Sequence, residues 1–231
     1  MIPDPTIHLS HHARVQMEER GADERVAGGR FGTLSRCFLS ATPAATQALA
    51  AALAPHLPPG CLLRLEGDLG AGKTTWVQGL ARGLGVVGPV QSPTFTLIRE
   101  YAGAGTVGLA HMDFYRLAGA LQAEDLGLDA YLDGDDVLAV EWPEQAGDAL
   151  PRTGMAIALA PVAAGGVRSE GSGAAIASVQ ALADDPLVEQ PPLIRLTGLD
   201  EACASVLAVL VPPTDPGLYE ISCPKAAVDH D

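Results

Sequence analysis

A chain of 231 residues suits one α/β domain with decorations, or at most two small ones. Its 48% apolar content allows a sizeable core without disulfides or metals, and with 4% aromatics that core should be built from Ala, Val and Leu. The formal net charge of −14, with no dense Lys/Arg run, argues against a protein whose main task is to grip nucleic acid.

Residues 1–30 are polar, mixed in charge and interrupted by glycine, and read as a weakly ordered extension. Pro, Asp and His stand where a signal peptide would need a basic start and an apolar core. His8, His11 and His12 read as solvated tail rather than a metal site. Phe31 to Ser40 alternates as a strand. Thr42 and Pro43 then read as a helix N-cap and a proline at the first helical position. That helix should reach about Leu57 and end at Pro58-Pro59-Gly60.

Cys61 to Glu66 is a short apolar run that reads as a buried strand. It leads into Gly67-Asp68-Leu69-Gly70-Ala71-Gly72-Lys73-Thr74, which fits the phosphate-loop pattern G-x-x-x-x-G-K-[ST] at every fixed position. Such a loop turns backbone N–H groups towards nucleotide phosphates, its lysine neutralises the β/γ-phosphates, and its hydroxyl reaches Mg²⁺. From Thr75 to Leu84 apolar residues recur at helical spacing. Strand, glycine loop and helix is the order the mechanism needs, because the helix N-terminus adds partial positive charge at the phosphates.

Next come a loop from Gly85 to Gln91 and the hydroxyl-bearing turn Ser92-Pro93-Thr94. Phe95 to Tyr101 and Thr106 to Asp113 read as an antiparallel hairpin, joined by Ala102-Gly103-Ala104-Gly105. Gln122 to Leu132 is helical in pattern, Asp136 to Trp142 is a buried strand, and Met155 to Pro161 is another. Val162 to Pro192 turns to Gly, Ala, Ser and Pro and reads as an insertion or flexible loop with a short helix near Ile176 to Leu182. Leu193 to Leu196 should be a last edge strand, Leu199 to Leu210 a helix, and the tail from Pro212 loosely ordered. The longest apolar run, Ala202 to Val211, is about half a membrane span, so the chain reads as soluble and cytoplasmic. Cys37, Cys61, Cys203 and Cys223 form no C-x-x-C pair and are expected to be reduced, buried thiols.

Phosphate transfer or hydrolysis also needs acidic residues that hold Mg²⁺ and position the attacking group. Asp113 and Glu141 each end an apolar strand. In an open α/β sheet the ligand lies beyond the carboxyl ends of the strands, so both would face the phosphate loop if their strands flank its strand. Ser92, Pro93 and Thr94 could then form a switch that senses the γ-phosphate. Three functions are open to these residues: an ATPase, a P-loop kinase for a small molecule, and a nucleotide-dependent interaction module. No Arg-rich lid marks a kinase, and no N-K-x-D motif marks a guanine site.

The motifs GDLGAGKTT (Gly67 to Thr75), SPTFTL (Ser92 to Leu97), HMDFYRL (His111 to Leu117), Leu126-Gly127-Leu128 and Glu141-Trp142-Pro143-Glu144 stand together in one order. In that order and spacing the chain resembles the TsaE (YjeE) family, the ATPases of bacterial tRNA threonylcarbamoyladenosine biosynthesis. The resemblance runs from about Leu39 to Pro151, with weaker echoes to Leu210. It implies an α/β fold of the P-loop NTPase type, three layers around a mixed, mainly parallel sheet. The ATPase domain would occupy residues 31–211, with 162–192 as the insertion and 212–231 as a tail.

The resemblance also implies ATP and Mg²⁺ as cofactors and TsaD and TsaB as partners. Those proteins place the threonylcarbamoyl group on adenosine at position 37 of ANN-decoding tRNAs, so tRNA would be touched only indirectly. On this model Lys73, Asp113 and Glu141 are catalytic, and Thr74 and Glu141 hold Mg²⁺. Gly67, Asp68, Leu69, Gly70, Ala71, Gly72, Lys73, Thr74 and Thr75 cradle the nucleotide. Thr46 matches a family threonine ahead of the phosphate-loop strand, Ser92, Pro93 and Thr94 form the first switch, and Trp142 lies beside the metal. Two positions depart from the family: Ala45 stands where Glu is frequent, and Gln78 where Arg is.

Overall fold

The computed structural model describes residues 34–117, 119, 123, 125–161, 192–215, 217–221 and 223. The expected N-terminal extension, its histidines and the insertion with its short helix lie outside the described residues. In chain order the elements are β1 (Ser35–Ser40), α1 (Pro43–Leu53), β2 (Leu62–Glu66), α2 (Lys73–Gly83), β3 (Ile98–Tyr101), β4 (Leu109–Asp113), α3 (Leu128–Leu132), β5 (Val137–Glu141), β6 (Met155–Pro161), β7 (Pro192–Gly198), α4 (Glu201–Val209) and β8 (Leu218–Ile221). A 3-10 turn, Ala54–His56, extends α1 to the expected end near Leu57.

The strands form one sheet in the order β3-β4-β5-β2-β6-β7-β1-β8. Its centre, β4-β5-β2-β6, is parallel. Antiparallel strands extend it on both sides: β3 beside β4, and β7, β1 and β8 beyond β6. Every residue of β4 and β5 is buried, as a parallel sheet covered on both faces requires. Leu63, Leu65, Val137, Ala139 and Ile157 share one core with Leu49, Trp76, Leu80 and Leu207 from α1, α2 and α4. Leu62, Ala110, Met112, Leu138 and Val140 form the other core with Phe114 and Leu128. The sheet is therefore the middle layer of three, an α/β fold with a parallel centre.

Thr42 caps α1: its Oγ1 accepts from Ala45 N at 3.1 Å, and Pro43 opens the helix. A Glu at position 45 could return that bond to the cap backbone and close a capping box. Ala45 leaves the cap one-sided. Helix α2 lies so close to α1 that Gly79 and Gly83 face the backbones of Gln47 and Ala51 with no room for a side chain.

The second half of the sheet departs from the sequence expectation. β7 is longer than Leu193 to Leu196 and is no edge strand, since β6 and β1 pair with it on either side. The edge is β8, inside the stretch expected to be loose. Four residues among prolines carry too little pattern to read as a strand, but long-range partners hold them. Arg36 forms a bidentate ion pair with Glu220 at 2.8 Å, Ala41 N donates to Gly217 O at 2.7 Å, and Cys37 is disulfide-bonded to Cys223. Arg36 Nη1 also donates to the carbonyls of Leu207 and Leu210, closing the end of α4. The disulfide corrects the expectation of four reduced thiols, because pairing across 186 residues leaves no local signal. Cys61 and Cys203 are free and buried, with sulfurs 3.6 Å apart.

Candidate functional site

The loop between β2 and α2 is shaped by glycines. Gly67, Gly70 and Gly72 have φ of 138°, 82° and 99°, a region that side chains avoid. At Gly67 a Cβ would also run into the Leu159 carbonyl of the neighbouring β6. Gly72 caps α2 without any side-chain hydrogen bond, so the first N–H groups of the helix remain open for an anion. Asp68, Leu69 and Gly70 are exposed, while the start of α2 is drawn inwards by buried Trp76 and Val77.

Lys73 is buried at the centre of this loop. Its Nζ donates to Gly67 O at 2.5 Å and Asp68 O at 2.8 Å, and lies 3.9 Å from the centroid of the Trp142 ring. Burial pulls its ammonium below the usual lysine range, against Glu141, Asp113, Glu144 and Asp68, which favour the charged form. Trp142 is placed over the lysine by a left-handed backbone, φ 57°, at the end of β5. Such a conformation costs on the order of 1–3 kcal/mol in a non-glycine residue and recurs at functional sites. Tyr115 packs against that indole at a tilt, with ring centroids 5.1 Å apart.

Glu141 and Asp113 both end their strands and stand directly opposite each other in the β4–β5 register. Glu141 lies next to Leu65 of the phosphate-loop strand β2. Asp113 lies one strand further out, so of β4 and β5 only β5 flanks β2, and the condition set by the sequence is met for Glu141 alone. The Glu141 Oε1 accepts from Thr74 Oγ1 at 2.9 Å and lies 2.8 Å from His111 Nε2. Asp113 instead gathers the Ser92-Pro93-Thr94 turn: its Oδ2 accepts from Ser92 Oγ at 2.8 Å and Thr94 Oγ1 at 2.5 Å, and its Oδ1 from Tyr115 N at 3.0 Å. Pro93, buried between the two hydroxyls, accepts from Thr96 N and Leu97 N and turns the chain back into β3.

The structure thus brings Lys73, Thr74 and Glu141 together and ties Ser92 and Thr94 to them through Asp113. It does not bring Thr46 into hydrogen-bond contact with the loop. That residue is buried on α1, and its hydroxyl bonds Ser40 Oγ at 2.8 Å. Thr75, next to Thr74, is half-buried. Gln78 braces α2, donating to Val90 O at 3.1 Å and accepting from Gln47 Nε2 at 3.0 Å. His111 is legible only as part of the motif; its contact with Glu141 joins the neighbouring strands β4 and β5 and needs the register to be seen. A hollow of about 420 Å³ beside the loop is lined by Arg64, Glu66, Gly67, Asp68, Trp142 and Glu144.

The oxygens of Thr74 and Glu141 form a hard donor set of the kind Mg²⁺ accepts. That ion takes one or two carboxylates and completes its shell with water and phosphate rather than with an all-protein cage. The residues present fit the ion on that ground.

Residues 40–166 match the family model described as "Threonylcarbamoyl adenosine biosynthesis protein TsaE". The chain is 47% identical over 117 residues to the tRNA threonylcarbamoyladenosine biosynthesis protein TsaE of Bacillus subtilis, covering 51% of this chain and 72% of that one. The protein of the same description from Synechocystis is 50% identical over 97 residues, 40% of this chain and 60% of its own length. Among solved structures, the crystal structure of Bacillus subtilis YdiB superposes with a TM-score of 0.57 at 30% identity, over 79% of this chain and 97% of that one.

Proposed function

Since the chain belongs to the TsaE family of tRNA threonylcarbamoyladenosine biosynthesis, we propose that it is the Mg²⁺-dependent ATPase subunit of that pathway. In this reading it acts in the cytoplasm with TsaD and TsaB, supporting their formation of N6-threonylcarbamoyladenosine at position 37 of ANN-decoding tRNAs. The activity belongs to residues 31–211, with β8 added at the sheet edge. The acidic balance, −14 in all, suits docking on a protein partner better than gripping tRNA.

The observation that carries the proposal is the convergence at the phosphate loop. Thr74 Oγ1 and Glu141 Oε1 are 2.9 Å apart, with Lys73 over the loop carbonyls and Asp113 holding the switch hydroxyls. The loop N–H groups and Lys73 bind the phosphates, exchanging the Gly67 and Asp68 carbonyls for phosphate oxygens. Thr74 and Glu141 would hold Mg²⁺, which supplies charge neutralisation on the phosphoryl group when bound. Asp113 positions Ser92 and Thr94, so a γ-phosphate that recruits either hydroxyl loosens the switch from Asp113. The Trp142 ring covers the Lys73 ammonium, and Tyr115 packs against that ring.

Purified protein is expected to release phosphate from ATP slowly alone and faster with TsaD and TsaB, and to co-elute with them in a nucleotide-dependent way. Absence of both phosphate release and co-elution would sink the proposal. Phosphate appearing on a small metabolite instead of in water would convert the reading to a kinase.

A further inference from the structure

We propose that His111 is a positioning residue that holds the Glu141 carboxylate for the metal. The inference rests on the ATPase reading above. Along β4 successive side chains alternate between the two cores, Leu109 on the α2 side and Ala110 and Met112 on the other. His111 therefore points, like Leu109, towards the layer that carries the phosphate loop. Its side chain is wholly buried, and Nε2 lies 2.8 Å from Glu141 Oε1.

An ionised carboxylate only accepts, so the imidazole hydrogen is assigned to Nε2. Among the described residues Nδ1 has no partner at all. The ring thus directs its Nε2 hydrogen to Glu141 and leaves its other nitrogen unpaired in the core, an arrangement that costs free energy. Packing alone would be served at this position by an aliphatic residue such as its neighbours Leu109, Ala110 and Met112.

The geometry explains what the N–H does. Both hydrogen bonds of the Glu141 side chain among the described residues fall on Oε1, one from Thr74 and one from His111. In the ATPase reading Thr74 would hold the cation through an oxygen lone pair, so its hydroxyl hydrogen could stay on Glu141, but Thr74 would itself be a ligand. His111, on a fully buried strand, is the donor that is not itself a ligand. It fixes the carboxylate rotation and leaves Oε2 for the incoming group, in the manner of outer partners that orient metal ligands.

The test uses His111→Leu, His111→Met and His111→Gln in the full-length protein. Mn²⁺ binding to the ADP-loaded protein is read by electron paramagnetic resonance, and steady-state ATPase kinetics are read beside it. The apolar variants should weaken Mn²⁺ binding about tenfold and lower kcat with KM for ATP little changed; the Gln variant, which can donate the same bond, should stay within threefold of wild type. A folded Leu or Met variant within about twofold of wild type in both readouts would overturn the proposal, as would a folded Gln variant as defective as Leu.

Should neither apolar variant fold, ¹⁵N spectra of the wild-type imidazole decide the matter. The Nε2–H tautomer, with a proton resonance that moves in Glu141→Ala, supports the arrangement; an Nδ1–H tautomer refutes it. A wild-type protein that binds no nucleotide would refute the ATPase reading itself. Wild-type binding with indifferent apolar variants would refute only the role of His111.

Discussion

Lys73→Ala should lower ATP turnover by about three orders of magnitude and leave the fold in place. A preorganised cationic donor aimed at developing phosphoryl charge is worth about 2.7–4 kcal/mol, or 10²–10³ in kcat, and burial strengthens it by excluding water. Burial disfavours the charged form of Lys73 while Glu141, Asp113, Glu144 and Asp68 favour it, and a bound phosphate would act in the same sense as those carboxylates. The ammonium is parked on the Gly67 and Asp68 carbonyls and under the Trp142 ring, ready to be exchanged onto phosphate. Removing it takes no group from either hydrophobic core, so the melting temperature should barely move. Lys73→Arg should not rescue: a planar fork does not fit a buried site built for a compact ammonium. Phosphate release and nucleotide affinity, measured side by side on the three proteins, check this. Turnover within tenfold of wild type in Lys73→Ala would mean that the loop is no phosphate grip.

Gly79→Ala should destabilise the protein by about 2–3 kcal/mol, although alanine is the better helix former by about 1 kcal/mol. The sign follows from packing. A Cβ at position 79 would meet the Gln47 carbonyl oxygen and stand 2.5 Å from Gln47 Cα, atoms of the α1 backbone that have no rotamer to escape into. One turn further on, a Cβ on Gly83 would stand 2.5 Å from Ala51 O and 2.6 Å from Ala54 Cβ, so the helices are just as close there and α1 cannot pivot away at one end. Either the two helices separate along their length or the new methyl is overpacked. Urea denaturation read by circular dichroism gives the answer; a stabilised Gly79→Ala protein would show that α1 and α2 are less tightly joined than the structure has them. Since α2 carries Lys73 and Thr74 at its first turn, ATP affinity should fall along with stability.

The parts of this architecture that were legible in sequence share a local cause. Gly67, Gly70 and Gly72 are glycines because the backbone there is left-handed, and such constraints show in the letters. The buried strand β5 reads as an apolar run because both its faces are covered, and β2 and β6 because Leu63, Leu65, Ile157 and Leu159 fill the core on one face. Thr42-Pro43 signalled α1 because capping is settled within four residues.

What stayed hidden depends on pairing between distant segments. Sheet order put β5, not β4, beside the phosphate-loop strand, so Asp113 bonds Ser92 and Thr94 while Glu141 bonds Thr74 of the loop. The β4–β5 register is what lets His111 meet Glu141, two residues whose spacing along the chain carries no periodic signal. β8 was illegible for the same reason: its four residues become a strand only because Arg36, Cys37 and Ala41 hold it.

The Cys37–Cys223 bridge also settles how the molecule bears tension. A pull applied through the flanking segments enters at one cysteine, crosses the sulfur bond and leaves at the other, so the sheet and the phosphate loop between them feel no load. The bond spans 186 positions, which shields roughly 650 Å of contour length from stretching. In an optical trap the oxidised protein should yield only its ends, and a dithiol reductant should release that hidden length. A translocating protease motor that seizes one end would meet the same obstacle: it would have to thread a closed loop, or wait for the bond to be cut.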